Sequence, residues 1–349
     1  MHGLIGMVKG RCPGSKAGLK GRDDIMKRKK TWIISAVCLA FISYGCSTSE
    51  FRSQEKDEAV DREVKGEENS LGTSAKENDY EQDNYVSVQD YIGEGYELRE
   101  ANKEIEETAK AAAEQIEKAV INYMRKQYKT DVRVTNIVGA QDAATVFVKS
   151  ETDPSFYTYA IVPYDFDTGK MLTADIRTEE GQVENAIHGW LYAKAYPEEF
   201  EKLDQFLNEF TETHPVTGLT KQAVQNVGGN GFSNQYYLVN PLGLIFEEVY
   251  NMYLENPEIE GEEIRKALEN AGFVAEDIAF GISLYMDEEG AEPDQSIMDG
   301  LKTSLTNLEG IPTGTYALHL NDNYIDKRRA SGSKTNTLKN IGPNEIIKE

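Results

Sequence analysis

The chain has 349 residues, with 37 Lys and Arg against 60 Asp and Glu, a formal net charge of −23 and a mean hydropathy of −0.55. Such an acidic balance makes nucleic acid and anionic lipid headgroups poor partners. Three cysteines in this length exclude a disulfide framework or a cysteine-rich zinc cluster, so an apolar core must hold the fold.

The first fifty residues read as an address. Lys27, Arg28, Lys29 and Lys30 form a compact cationic block, and the uncharged stretch TWIISAVCLAFISY follows at residues 31–44. Its fourteen residues suit the apolar region of an export signal and fall short of the roughly 20 needed to span a bilayer. Gly45 then precedes Cys46. A small residue before a cysteine is what lipoprotein processing requires: the thiol takes a diacylglycerol, and the peptidase cuts beside a small side chain. Residues 26–45 are therefore expected to be a lipoprotein signal peptide and Cys46 the lipidated residue. The mature chain would be held on the extracytoplasmic face of the cell membrane by its N-terminal lipid. Residues 1–25 do not fit this plan, because Met26 directly precedes the basic block; they read as a mis-called start.

Residues 46–85 carry twelve acids, five bases and few apolar side chains, too few to offset ordering entropy. They are expected to be a disordered acidic linker with an end-to-end distance of roughly 35 Å. Folded structure is expected over 86–325, with a possible subdivision near 177. From Asn102 to Tyr128, Ile105, Ala109, Ala112, Ile116, Val120 and Tyr123 recur at three- and four-residue steps and predict a long helix. The period then drops to two. Runs at 131–138, 144–149 and 156–163, with a turn at Asp167-Thr168-Gly169 into 171–177, predict an antiparallel meander. The second half predicts helices around Val183–Leu191, from Pro197 through Phe210, from Thr220 to Gly228, from Asn240-Pro241 through Met252, near Ile264–Leu268, and around Ile297–Leu305. Strands are expected at 235–239, 279–286 and 314–320. The expected class is α+β: a long helix packed on an antiparallel meander sheet, followed by a helix-rich second half with a few further strands. A cystatin-like arrangement is an analogy at the level of fold alone.

The runs VSVQDYIGEGYELRE (86–100), YKTDVRVTNIVGAQDAATVFV (128–148), FYTYAIVP (156–163), TEEGQVENAI (178–187) and HPVTGL (214–219), together with the Gly45-Cys46 junction, resemble a family of Gram-positive lipoproteins catalogued as domain of unknown function 1672. The resemblance extends from Val86 to about Tyr324. It implies a membrane-anchored envelope protein and supplies no catalytic residues.

Few residues suggest chemistry. His188, His214 and His319 fall on different elements, and no paired-ligand spacing exists, so neither a metal site nor a cofactor is expected. Glu184, His188 and Tyr192 share one helix face, read as a solvated polar face with an acid–base pair as the alternative. The segment Asp165–Gly169 resembles the start of a calcium loop, although a hairpin turn explains it as well. Gly228, Gly229, Asn230 and Gly231 allow close backbone approach; they form a possible ligand loop, with Tyr236 and Tyr237 as its platform, or a helix stop and tight turn. Catalytic residues stay unassigned. Residues 178–325 hold 27 acids against six bases, whereas the tail 326–349 holds six bases against three acids and is Ser-, Asn- and Gly-rich, hence expected to be disordered. The reading is an anchored binding protein for a wall component, peptide or partner protein. The alternative is an envelope hydrolase using Asp and Glu carboxylates, which would need convergent carboxylates beside the glycine loop.

Overall fold

The computed structural model describes residues 80–229 and 231–349. Lys27, Arg28, Lys29, Lys30, Gly45 and Cys46 lie outside the described residues, as do the rest of the expected signal, most of the expected linker, and Asn230.

Two helices, α1 (Lys103–Ala111) and α2 (Ala113–Tyr128), occupy the span expected of one. The Asn102 side chain caps α1 by accepting from Glu104 N and Ile105 N. Ala112 divides the pair, and nothing in the local sequence explains the break. Ile105, Ala109, Ile116, Val120, Met124 and Tyr128 are buried along one stripe. They pack on an antiparallel sheet of β2 (Val132–Gly139), β3 (Ala143–Ser150), β4 (Tyr157–Asp165) and β5 (Lys170–Met171), in that order. The expected meander is there. Most of β3 is buried on both faces, because α5 (Lys221–Val227) covers the side opposite α1.

The second sheet has seven strands. β7 (Phe232–Ser233), β8 (Tyr237–Pro241), β9 (Ile278–Met286), β10 (Gly314–Asn321) and β12 (Leu338–Asn340) lie side by side, with β6 (Val216–Thr217) on β9 and β13 (Ile346–Lys348) on β10. Its one parallel pairing is β9 with β10, joined through α8 (Gln295–Asn307). Phe280 and Tyr316 face each other across that pair with centroids 4.4 Å apart and planes 5° from parallel. A third pairing, β1 (Tyr85–Ser87) with β11 (Tyr324–Asp326), ties the entry of the chain to the end of β10.

Between the sheets runs α3 (Gln182–Ala195), in contact with β4 on one side and β7 and β8 on the other. The helices α6 (Phe246–Glu255) and α7 (Gly261–Ala271) close over it, and α4 (Pro197–Thr213) follows directly after. Ten of its fourteen residues are buried, so Glu184, His188 and Tyr192 do not form a solvated face. A helix packed from several directions has no water-facing side, and a reading based on local pattern misses this. One hydrophobic core runs from Ile105 to Ile346 and crosses residue 177 without interruption, so the possible subdivision there is absent.

Two further boundaries move. Structure is already present ahead of Val86: residues 80–84 make a helical turn, and Tyr80 Oη donates to Asp326 Oδ2 at 2.9 Å. Asn240-Pro241 ends β8 instead of opening a helix, since Pro241 pairs with Ile278 and α6 starts only at Phe246. The largest correction is the tail. Instead of being disordered, it supplies β12 and β13, which share the edge of β10 left open by β9. Each is a three-residue strand, too short to show a period in sequence, and forms only because a template edge is present.

Candidate functional site

The tail's return creates a groove. It is about 1010 Å³ in volume and lies between the turn where the chain enters, the β10–β11 corner and the loop before β12. Tyr80 and Tyr85 stand on one wall, edge to face with centroids 6.2 Å apart. Tyr324 lines it as well, and Glu81, Glu292, Asp322, Arg329, Lys334 and Asn336 supply polar groups. This lining joins two segments about 240 residues apart, the ones whose composition suggested linker and tail.

Asp322 organises the floor. Its side chain is 11 % exposed and that of Lys334 is 14 % exposed. Lys334 Nζ donates to both Asp322 carboxylate oxygens at 2.8 Å. Asn336 Nδ2 donates to Asp322 Oδ2 at 3.1 Å and to Glu292 Oε2 at 2.8 Å, and the Tyr324 backbone N–H donates to Asp322 Oδ1. The Lys334 ammonium also sits 4.4 Å from the Tyr85 ring centroid and 5.3 Å from that of Tyr324. Both distances lie within cation–π range. Thr337 positions the loop: its Oγ1 accepts from Lys334 N and donates to Asn321 Oδ1. Asn336 Oδ1 is buried without a hydrogen-bond partner among the described residues. Burial, followed by neighbouring carboxylates, raises the pKa values of Tyr80, Tyr85 and Tyr324, so their hydroxyls remain donors at neutral pH.

The described residues of the glycine loop are packed against their neighbours. Gly228 N donates to Val224 O and closes α5. At Gly229, a Cβ would meet the Tyr159 ring at 2.8 Å and the Phe147 ring at 3.3 Å. Those rings fill the space a ligand would need. Gln182 Nε2 donates to Gly229 O, and Gly231 bridges to Tyr157. Tyr237 is buried and donates to Asp204 at 2.8 Å, while half-buried Tyr236 covers Gly218 and donates to Asn208, one turn further along the same helix α4. They do not make a flat platform. Burial pushes the Asp204 carboxyl above its usual range, against the opposing hydrogen bonds from Tyr237 and Asn234. At the β4–β5 turn, Asp165 accepts from Asp167 N and from the Thr168 hydroxyl and so serves the turn itself; these hydrogen bonds hold its carboxyl below the usual range.

The histidines stay apart. His188 lies buried against the Phe246 and Tyr250 rings, and burial lowers its pKa to about 4. His214 stacks on Phe210 with centroids 4.0 Å apart. His319, on β10, is lowered chiefly by burial and then by Lys339. Among the described residues, no group of three or more His, Cys, Asp or Glu side chains could hold a metal ion, and no helix is long and apolar enough to cross a membrane.

A meander sheet and a mixed seven-stranded sheet sharing one buried helix, with a tyrosine-walled polar groove at the chain's entry, define an α+β protein of two joined layers. Residues 78–348 match the family described as protein of unknown function (DUF1672), and the chain belongs to that family. The match includes the entry turn and both tail strands, which the resemblance drawn from sequence motifs left out. Among solved structures, a DUF1672 family protein from Staphylococcus aureus subsp. aureus Mu50 is similar in fold: TM-score 0.62 and 20 % identity, over 76 % of this chain and 98 % of that one. No curated protein matches.

Proposed function

We propose that the protein is a lipid-anchored binding protein of the cell envelope, tethered through Cys46, and that the groove walled by Tyr80, Tyr85 and Tyr324 takes a wall component, a peptide or a partner protein. The observation that carries this reading is the lining itself. Aromatic faces beside paired carboxylates, an amide and two cationic side chains suit a polar ligand with some apolar surface. The glycine loop offers a hydrolase little support, because rings and amides pack against it where convergent carboxylates would be needed.

Two measurements test the reading. Purified wall fragments should bind the full-length chain, and Tyr80→Ala should weaken that binding at least several-fold; unchanged binding would move the site elsewhere. Separately, Cys46→Ser should abolish labelling by a radioactive fatty acid and release the protein from the membrane fraction. A variant still labelled would remove the anchoring assignment.

A further inference from the structure

We propose that Tyr85, Tyr324 and Asp322 form a recognition site for a primary ammonium group on the ligand, and that Lys334 occupies it while the groove is empty. The proposal rests on the binding reading above and names the chemistry of the ligand. Two tyrosine faces beside a carboxylate are what an alkylammonium needs: ring quadrupoles on the flanks and a two-oxygen acceptor at the end. Here an alkylammonium is seen in place. Lys334 Nζ meets both Asp322 oxygens at 2.8 Å while lying 4.4 Å and 5.3 Å from the two ring centroids.

The occupant belongs to a segment able to leave. Lys334 sits in the loop between β11 and β12, where Ser333 and Thr335 on either side are exposed. The loop's own hydrogen bonds, Lys334 N to Thr337 and Ser333 N to Ser331, are short-range and independent of the ammonium. β12 is meanwhile fixed to β10 by its own register, so the side chain can swing out without unpairing the sheet. The vacated cage would still present Asp322, held by the Asn336 amide at 3.1 Å. The open remainder of the groove, along Tyr80, Glu81 and Glu292, leaves room for the body of a lysine-bearing peptide and supplies carboxylates that draw cations.

The test uses the full-length chain and two probes, Nα-acetyl-lysine amide and its uncharged isostere Nα-acetyl-norleucine amide. The lysine probe should bind, and the norleucine probe should not. Lys334→Met removes the internal competitor and should tighten binding of the lysine probe about ten-fold. Adding Asp322→Asn to that variant should cancel the gain. On the unaltered chain, saturating lysine probe should raise the rate at which Lys334 is acylated by an amine-reactive reagent, because the displaced side chain enters water. This last measurement decides the matter if Lys334→Met does not fold. Equal binding of both probes, or unchanged Lys334 labelling under a bound lysine probe, would overturn the ammonium site. Absence of lysine-probe binding would do the same. Wall-fragment binding that depends on Tyr80 yet ignores the lysine probe would overturn the ammonium site alone and leave the binding reading standing. Lysine-probe binding without any wall-fragment binding would do the reverse for the wall.

Discussion

His188 shows what a single buried titratable side chain does to this molecule. It is 7 % exposed, stacks on Phe246, and has an Nε2 without a hydrogen-bond partner among the described residues. Burial disfavours the imidazolium and depresses its pKa from 6.5 to about 4. Between those values the unfolded chain takes up a proton that the folded chain refuses. Stability is therefore whole above pH 6.5 and falls as the pH drops toward 4, by about 3 kcal/mol in all. His188→Leu keeps the apolar packing and removes the titration. Urea melts from pH 7.5 to 4 should show a flatter decline for the variant, with the remaining slope shared by His319 and the carboxylates. Parallel curves would mean that His188 is not buried in solution.

At the scale of elements, the contact between α3 and α7 offers a direct test of packing. α7 begins at Gly261, where a Cβ would stand 2.2 Å from Lys194 O, a backbone atom that cannot swing away. The close approach lets Ile264 and Leu268 reach the core, and Arg265 bridges back to Glu199 at 3.0 Å while its guanidinium lies 4.5 Å over the Tyr196 ring. Gly261→Ala should force the helices apart and cost about 1–3 kcal/mol, the usual range for overpacking. Gly272→Ala, at the other end of α7, meets no atom within 4 Å and isolates the strain of its positive φ of 82°. Denaturant midpoints of the two variants separate packing from backbone strain. A Gly261→Ala protein as stable as the parent would show that the helices part freely.

Across the whole molecule, the C-terminal tail acts as a closing strap. Arg328 pairs with Glu97 at 2.6 Å, Lys334 with Asp322, and Lys348 Nζ caps α8 by donating to Thr306 O and Leu308 O. A tail engaged in this way is not a free basic segment. The cations neutralise the protein's own acids, and the strands cover an edge that would otherwise recruit another chain. Deleting residues 327–349 should lower the melting temperature substantially and promote association, read by calorimetry and light scattering. Limited proteolysis of the intact chain should spare the tail. A truncated protein that melts like the parent would show that β12 and β13 contribute nothing.

The order of elements follows from local signals. Ile105 to Tyr128 repeats at helical steps, β4 alternates, Pro197 sits at a helix start, and Thr220 caps α5 by accepting from Ala223 N. Those features need only neighbours along the chain, and so does the signal-like run ending at Gly45-Cys46. The groove could not be read this way. Tyr80, Tyr85 and Tyr324 carry no period, and their surroundings have the composition of linker and tail. A tyrosine–acid alternation near both chain segments is the one trace they leave in sequence. Whether Lys334 is a solvated tail cation or a buried ammonium depends on β10 offering its edge to β12, a pairing between residues that local pattern does not connect. The burial of His188 likewise depends on α6 and α7 closing over α3. Sequence by itself determined the longer helices, the meander strands and the acidic charge. Which polar side chains lost their water was decided by tertiary structure, because desolvation is a property of everything packed around a residue and not of its neighbours in the chain.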